Sequence, residues 1–445
     1  MNFPAFKYRI LSWTAALTIW IIVLMPFHAF LTVWLSSELG HYTALRLWKE
    51  ILLILCSVAA LFLLATDKKI RSQTLTRRLV WLIFAYMFVT VIWGLIALHR
   101  GAVDGVAMGL GIVENLRFLA FFLITWSVSL RLSRLHTYWQ WMVLWPAAIV
   151  VGFGVLQFLV LPHNFLASFG YGPDTIRPYQ TINNNLDYIR VISTLRGANP
   201  LGAYLVIPIT MLSVLLIQKR IEKKQAVLLG FAFLCLLFSF SRSAWIGVSV
   251  SLAVVALISL KTRRAKKIAI TVGASVVILL GASFGLLRQN DTFENIFFHT
   301  QEESSIQETS NDGHTAALKT GLNDVIYKPL GTGTGTAGPA SIHNDSCPAR
   351  ISENYFLQIG QETGWIGLGL FILINTGIGY LLWLRRSDPL ALSLLASLAG
   401  ITVISMLSHA WADDTLAYIW WGLAGIAMAP NLKKAHKSTS IKSKK

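Results

Sequence analysis

The sequence has little charge for its length. Only 13% of its 445 residues are Asp, Glu, Lys or Arg, against about 25% in typical soluble domains. Apolar residues make up 55% of the chain, and the mean hydropathy is +0.59. A soluble chain of this length would form about two or three domains. The shortage of charge excludes that organisation and favours one integral membrane domain over residues 1–445.

Cysteine and metal-binding motifs are scarce as well. The three cysteines cannot form a disulfide framework, because Cys56 and Cys235 fall inside apolar runs and Cys347 stands apart from them. No Cys-x-x-Cys or His-Glu-x-x-His motif occurs. The sequence therefore predicts no metal site and no cofactor.

Long apolar runs take the place of charge. Each is about 20 residues long, enough to cross a bilayer. The first run is too long for a signal peptide and lacks a small-residue cleavage site, so we expect it to be retained. The pattern predicts an all-α polytopic membrane protein with about 12 transmembrane helices, at residues 11–35, 45–66, 79–98, 105–130, 139–161, 198–217, 225–241, 243–260, 268–287, 364–383, 390–409 and 411–430.

The basic residues are divided unevenly between the two sides of these spans. One alternating set of connections, with both termini, holds 26 of the 38 Lys and Arg residues and only three acidic residues. Because Lys and Arg mark the cytoplasmic side, we predict an inner-membrane protein with cytoplasmic termini. The basic tail 431–445 would then lie beside anionic lipid. The net charge of +17 reflects topology, and the absence of a basic soluble face excludes nucleic acid as a partner.

Two outer segments are much longer than the other connections. They cover residues 162–196 and 288–352, and the second, between spans 9 and 10, is 65 residues long. Loops of this length are usually functional or disordered. We predict a flexible first half and a folded, partly helical second half, because residues 316–326 have helical spacing. The chemistry of the protein is expected on this extracytoplasmic side.

Four arginines lie in or beside predicted spans: Arg117, Arg190, Arg196 and Arg242. Arginine near a bilayer is costly and therefore a functional hypothesis by default. The last three are predicted to meet at the outer surface, where guanidinium groups suit a diphosphate. Snorkelling to the interface, or pairing with Glu114 and Asp187, is the alternative.

The run Gly331-Thr-Gly-Thr-Gly-Thr-Ala-Gly338 resembles a nucleotide-binding loop only superficially. Nucleotides are scarce outside the cell, so we exclude a nucleotide ligand and predict a tight turn whose N–H groups could face an anion. Residues 353–383 are too long for one span, which predicts a break at Thr363–Gly364 after a short surface helix. That break places Glu353 at the mouth of the membrane, where a carboxylate can accept a proton. The alternative role of Glu353 is a charge at a helix N-terminus. His314, in the long outer segment, is a second candidate, and its alternative role is a surface hydrogen bond.

Four blocks of sequence occur in the order typical of one family. They are 190–204 (RVISTLRGANPLGAY), 238–245 (FSFSRSAW), His314 followed by 329–333 (PLGTG), and 353–357 (ENYFL). Together they make the region 185–385 resemble the O-antigen ligase and O-antigen polymerase superfamily. The N-terminal third is similar to that family only in its hydropathy.

The resemblance implies a metal-independent, inverting membrane glycosyltransferase whose donor is a glycan on undecaprenyl diphosphate at the outer leaflet. Arg190 and Arg242 would hold the diphosphate, with Arg196 and Arg117 as further donor-binding residues. Glu353 would be the base and His314 a helper, and the acceptor would be a glycan or a lipid-linked glycan. Ligases of this family usually carry His-Asn where this chain has Glu353-Asn354, which favours a polymerase or a less typical ligase. The alternative is a lipid-linked glycan flippase or a transporter without transferase chemistry.

Overall fold

The computed structural model of the chain describes residues 3–182, 185–260 and 310–429. Helices dominate these residues. In chain order they are α1 (Phe3–Leu24), α2 (His28–Leu39), α3 (Tyr42–Arg46), α4 (Trp48–Thr66), α5 (Lys68–Leu75), α6 (Arg78–His99), α7 (Gly105–Ser129), α8 (Arg134–Thr137), α9 (Trp139–Leu159), α10 (Ala198–Ile217), α11 (Lys223–Phe238), α12 (Arg242–Ser259), α13 (Ser310–Tyr327), α14 (Tyr355–Leu384), α15 (Pro389–Leu407) and α16 (Asp414–Met428).

Nine helical segments in the described ranges are long and apolar enough to cross a membrane. They are α1 taken together with α2, then α4, α6, α7, α9, α10, α12, α14 and α15. This confirms a mostly helical membrane protein but not the number 12. Helices α11 and α16 occupy two more of the predicted runs, but they have only 16 and 15 residues. The predicted span at 268–287 lies outside the described residues.

The first predicted span differs from a single helix. The chain is helical from Phe3 to Leu39 except for a 3-10 turn at Met25–Phe27 that contains Pro26. Proline removes one backbone donor and its ring clashes with the preceding turn. The break therefore follows from Pro26, which hydropathy alone does not weigh.

A short antiparallel sheet, which the sequence did not predict, is present in the otherwise helical fold. Strand β1 (Gln180–Ile182) pairs with β2 (Asn185–Arg190), and Gln180 stands opposite Arg190. Both strands fall within the outer segment 162–196, where no apolar run exists to predict an element. Two strands of this length are marginal alone. Here Arg190, at the end of β2, is fixed by further contacts with α11.

Helices α10 and α16 form the centre of the bundle. Both are buried along almost their whole length, and Trp420 and Trp421 of α16 are fully buried. Glycine allows close approach around them: a Cβ at Gly425 would lie 2.6 Å from the carbonyl oxygen of Phe122 in α7. Small residues at helix contacts are typical of membrane bundles.

The connections rich in basic residues meet at one end of the bundle. Lys7 Nζ donates to the carbonyl oxygen of Thr66 at 2.6 Å, and Arg131 binds the carboxylate of Asp67 at 2.7 Å. His136 contacts Asp388 at 2.7 Å. These contacts join three of the connections that the charge pattern assigned to one side. The opposite end of the bundle holds the starts of α10, α12, α14 and α16 and the end of α15.

The glycine–threonine run at 331–338 lies inside the bundle. Gly335 has φ of 92°, and a Cβ there would lie 2.5 Å from the carbonyl oxygen of Ala107 in α7. Thr334 Oγ1 donates to the carbonyl oxygen of Thr90 in α6 at 2.6 Å. Irregular backbone at membrane depth is tolerated where protein surrounds it. We call residues 331–338 the re-entrant loop.

The re-entrant loop breaks α14 at Gly364, where φ is 64° and ψ is −162°. The N–H of Trp365 donates to the carbonyl oxygen of Pro329 at 2.9 Å instead of continuing the helix. The carbonyl oxygen of Gln361, left without that N–H, accepts from Thr332 N at 2.8 Å. The predicted break at this position is therefore confirmed, and an exchange of hydrogen bonds between loop and helix produces it.

The position predicted for the first half of α14 is wrong. Tyr355 and residues 358–364 are buried, so this half is not a surface helix. It packs against the re-entrant loop, with which it exchanges backbone hydrogen bonds. The predicted helical second half of the long outer segment is confirmed by α13 (Ser310–Tyr327).

Candidate functional site

A cavity of about 830 Å³ opens among the helix ends opposite the basic connections. Arg190, Arg196, Arg242 and Glu353 all line it. Ligand sites commonly have volumes of about 300–1,000 Å³. The structure thus brings together four of the six side chains that the sequence singled out. They come from segments as far apart as β2, the start of α12 and the chain before α14.

Arg190 is held at the end of β2 by the last carbonyls of α11. Its Nε donates to the carbonyl oxygen of Ser239 at 2.9 Å, and one terminal nitrogen donates to Asn199 Oδ1 at 2.7 Å. These acceptors are uncharged, and no carboxylate pairs with Arg190 among the described residues. Burial, followed by the positive charge of Arg242, lowers the pKa of Arg190 to about 10. Arg190 still remains a cation at neutral pH.

A tight turn places Arg242 beside Arg190. Phe240 adopts a left-handed backbone with φ of 48°, and α12 begins two residues later at Arg242. The N-cap residue Ser241 makes no side-chain capping hydrogen bond to α12. The first N–H groups of a helix and its dipole favour an anion. Arg242, Ser243 and the cavity therefore share one electropositive corner.

Arg196 belongs to the side of the cavity formed by α15 and α16. Its Nε donates to Asp413 Oδ2 at 2.8 Å, while 55% of the arginine side chain remains exposed. Asp413 is buried and its other oxygen caps α16 by accepting from Leu416 N at 3.2 Å. This ion pair makes the α15–α16 side of the cavity nearly neutral.

Glu353 stands immediately before α14 in a left-handed conformation with φ of 52°. The next residue, Asn354, caps α14 by accepting from Phe356 N at 2.9 Å. Asn354 Nδ2 also donates to the carbonyl oxygen of Met406 at 2.9 Å, which ties this corner to the end of α15. The helix start and the tie to α15 fix the backbone that presents the carboxylate to the cavity. Glu353 therefore lies at the cavity, as predicted.

The remaining two of the six predicted residues are His314 and Arg117. His314 lies in α13 (Ser310–Tyr327), but its side chain is outside the described part of the chain. The next residue, Thr315, lines the cavity, so the histidine belongs to a helix that reaches it. Arg117 does not line the cavity.

Arg117 takes part in a buried ion cluster beneath the cavity. It contacts Asp414 through a terminal nitrogen and donates to the carbonyl oxygen of Ala412 at 2.7 Å. Lys49, also buried, binds Asp414 at 3.0 Å, and Glu50 lies 3.8 Å from Arg117. The structure thus pairs Arg117 with Asp414 and Glu50 and not with Glu114, the partner named in the alternative. Its assignment to diphosphate binding stays a prediction.

The buried side chain of Glu362 accepts a hydrogen bond from the backbone of the re-entrant loop. Glu362 accepts from Gly335 N through Oε1 and from Asn115 Nδ2 through Oε2, each at 2.7 Å. Asn115 Oδ1 accepts in turn from the hydroxyl of Tyr355 at 3.1 Å. The acceptor that faces this backbone is therefore a side chain of the chain itself. The network fixes the loop against the start of α14, two residues after Glu353.

Sequence reasoning missed the two polar residues of the α15–α16 connection, His409 and Asp413. Both line the cavity, and both fall at the join of two apolar runs that were taken as neighbouring spans. The signal was present, because the segment Ser408-His409-Ala-Trp-Ala-Asp413-Asp414 interrupts almost continuous apolar sequence. Within the described ranges, no group of three or more His, Cys, Asp or Glu residues is placed to hold a metal ion.

Comparison with known families identifies one region of the chain. Residues 226–372 match the model of the family described as O-antigen ligase. The match covers about a third of the chain and supports the O-antigen ligase and polymerase superfamily. It includes Arg242 and Glu353, whereas Arg190, Arg196 and His409 lie outside it. No curated protein sequence matches the chain significantly.

Proposed function

We propose that this protein is an inverting membrane glycosyltransferase, from the match of residues 226–372 to the O-antigen ligase family and from the cavity that Arg242 and Glu353 of that region line. Its donor is a glycan on undecaprenyl diphosphate, and its acceptor is a second glycan or lipid-linked glycan. We place the cavity at the outer leaflet of the bacterial inner membrane and both termini in the cytoplasm. The reaction uses no metal in this proposal, since guanidinium groups take the role of neutralising the diphosphate.

The observation that carries the proposal is the pairing of Arg190 and Arg242 at one corner of a cavity that Glu353 also lines. Two adjacent guanidinium groups repel one another, and a diphosphate removes that repulsion by binding both. As the bond between the anomeric carbon and the diphosphate oxygen breaks, negative charge grows on the leaving group. Cations already in place stabilise that charge.

The acceptor hydroxyl supplies the new bond. Its oxygen attacks the anomeric carbon from the face opposite the diphosphate, so the configuration inverts. Glu353 takes the proton of that hydroxyl, with His314 as a helper, and undecaprenyl diphosphate leaves with the bonding electrons. A positioned base contributes about 10²–10⁴ in rate. Each step is then assigned to a side chain at or next to the cavity.

The test is reconstitution with an undecaprenyl-diphosphate-linked repeat unit in lipid nanodiscs. We expect longer glycans, or transfer of the glycan to a second lipid, together with release of undecaprenyl diphosphate. Arg190→Ala and Arg242→Ala should abolish the release. Arg177→Ala is the matched control, because Arg177 is exposed and does not line the cavity.

Two other outcomes would overturn the proposal. A flippase would move the lipid-linked glycan across a liposome membrane without releasing undecaprenyl diphosphate. Equal release by the wild-type protein and both cavity-arginine variants would remove the role of this corner. Longer chains on the same lipid would identify a polymerase, and movement of the glycan to another lipid would identify a ligase.

A further inference from the structure

His409 lies on the nearly neutral side of the cavity. It follows the end of α15 at Leu407, and its carbonyl oxygen accepts from Ala412 N at 3.1 Å in the turn before α16. Its side chain lines the same cavity as Glu353 and Arg196. The histidine therefore sits on the side formed by Arg196 and Asp413, away from the Arg190–Arg242 corner.

The imidazole of His409 has unused hydrogen-bonding capacity. Its Nε2 is buried and makes no hydrogen bond within the described residues. Buried polar atoms almost always have a partner, so such an atom at a cavity calls for one. Burial, followed by the positive charge of Arg196, lowers the pKa of His409 to about 4. The ring is then neutral at physiological pH, with one donor nitrogen and one acceptor nitrogen.

This chemistry fits an uncharged hydroxylated ligand better than a phosphate or a proton. A neutral ring has no charge to offer a diphosphate, and the Arg196–Asp413 pair leaves little net charge around it. A base with so low a pKa is also poorly matched to proton transfer near neutral pH. A sugar hydroxyl, in contrast, donates to one ring nitrogen or accepts from the other.

We propose that His409 binds a hydroxyl of the acceptor sugar, on the nearly neutral side of the cavity formed by Arg196 and Asp413. The assignment rests on the proposed function, because it divides the cavity into a donor corner at Arg190–Arg242 and an acceptor side at His409. It makes His409 an acceptor-binding residue and leaves proton transfer to Glu353.

The experiment measures two affinities of the full-length protein in nanodiscs, without turnover. One probe is undecaprenyl diphosphate. The other is the free repeat-unit oligosaccharide of the host's own cell-surface polysaccharide. We expect His409→Leu to weaken oligosaccharide binding about tenfold, the size of one neutral hydrogen bond, with undecaprenyl diphosphate binding unchanged. Arg242→Ala should do the reverse.

Two variants keep the test specific. His409→Gln retains an acceptor and a donor and should recover part of the oligosaccharide affinity. His343→Leu should change neither affinity, because His343 is exposed and does not line the cavity.

Unchanged binding of both probes by His409→Leu would overturn the assignment. Loss of both together, or a His409→Gln variant as weak as His409→Leu, would overturn it too. If the wild-type protein and the variants bind the two probes in this pattern but no glycan is transferred, the proposed function fails, while the division of the cavity into a diphosphate corner and a sugar-binding side at His409 stands.

Discussion

Arg196 donates through Nε to Asp413 Oδ2 at 2.8 Å, and this contact joins the cavity to the core of the bundle. The next residue in the chain, Asp414, binds Lys49 at 3.0 Å and contacts Arg117. One aspartate therefore serves a half-exposed arginine at the cavity, and its neighbour serves two buried cations. An ion pair at the cavity is therefore adjacent in sequence to a buried ion cluster in the core.

These consecutive aspartates should respond differently to the same substitution. Asp414→Asn leaves Lys49 and Arg117 as buried cations with a weakened partner, and breaking a buried pair costs about 3–5 kcal/mol. We expect a clear loss of thermal stability in detergent. Asp413→Asn should lose less stability, because Arg196 is half exposed to water and asparagine can still accept from Leu416 N at the start of α16. Asp413→Asn should nevertheless lower turnover by loosening Arg196. Equal melting temperatures for the two variants would contradict this division.

The cavity arginines should not tolerate lysine. Arg190 uses Nε and a terminal nitrogen for two different acceptors, Ser239 and Asn199, and a lysine ammonium cannot reach both in that geometry. We expect Arg190→Lys and Arg242→Lys to lose nearly as much turnover as the alanine variants, measured as release of undecaprenyl diphosphate at matched expression. Full activity in both lysine variants would show that charge alone suffices and that planar recognition is wrong.

Two glycines on α7 offer a direct test of the re-entrant loop. A Cβ at Gly111 would lie 2.7 Å from Gly335 N, whereas a Cβ at Gly109 meets nothing within 4 Å. Gly111→Ala should therefore displace the loop and lower the melting temperature and the turnover together. Gly109→Ala should be neutral or slightly stabilising, since alanine in a helix interior is favoured by about 1 kcal/mol. If the two variants melt alike, the loop does not pack against α7 as described.

Hydropathy predicted the helices, and the distribution of Lys and Arg predicted which connections share one end of the bundle. Both signals are sums over many residues, so that single exceptions do not hide them. The break at Gly364 could be predicted from the length of the helix. The re-entrant loop, which contributes to the exchanged hydrogen bonds there, could not. A Gly-Thr run is typical of a polar surface turn. Its burial depends on partners in other helices: Glu362 accepts from Gly335 N, and the carbonyl oxygen of Thr90 accepts from Thr334.

The site was predictable only in part, for a related reason. Arg190, Arg242 and Glu353 stand out because charge beside a span is rare. His409 does not, because one histidine at the edge of an apolar run carries no pattern. Its neutral state depends on burial and on Arg196, and both follow from the fold, which brings the segment before α10 against the α15–α16 connection. Arg117 also stood out as a charge in a span, but its pairing with Asp414 required the fold.

The topology predicts which exposed turns face outward. Asp345, close to the cavity end, and Arg386, at the basic end, are both exposed. An alkaline phosphatase domain inserted after Asp345 should be active, because that enzyme matures only outside the cytoplasm, and one inserted after Arg386 should be inactive at equal expression. The reverse pattern would invert the bundle and place the cavity in the cytoplasm, which would end the case for an outer-leaflet donor.

Glu353→Gln separates proton transfer from packing at the cavity. The glutamine side chain has the same size, and the left-handed backbone at this position, with φ of 52°, is equally strained before and after the change. We therefore expect normal folding and unchanged binding of undecaprenyl diphosphate, with turnover reduced by about 10²–10⁴, the contribution of a positioned base. Glu38→Gln, at an exposed glutamate of α2, is the control for the loss of one carboxylate. The carboxylate could instead only orient the chain before α14, with His314 taking the proton. Then Glu353→Gln would keep near-normal turnover while His314→Ala would not, and Glu353 would no longer be the candidate base.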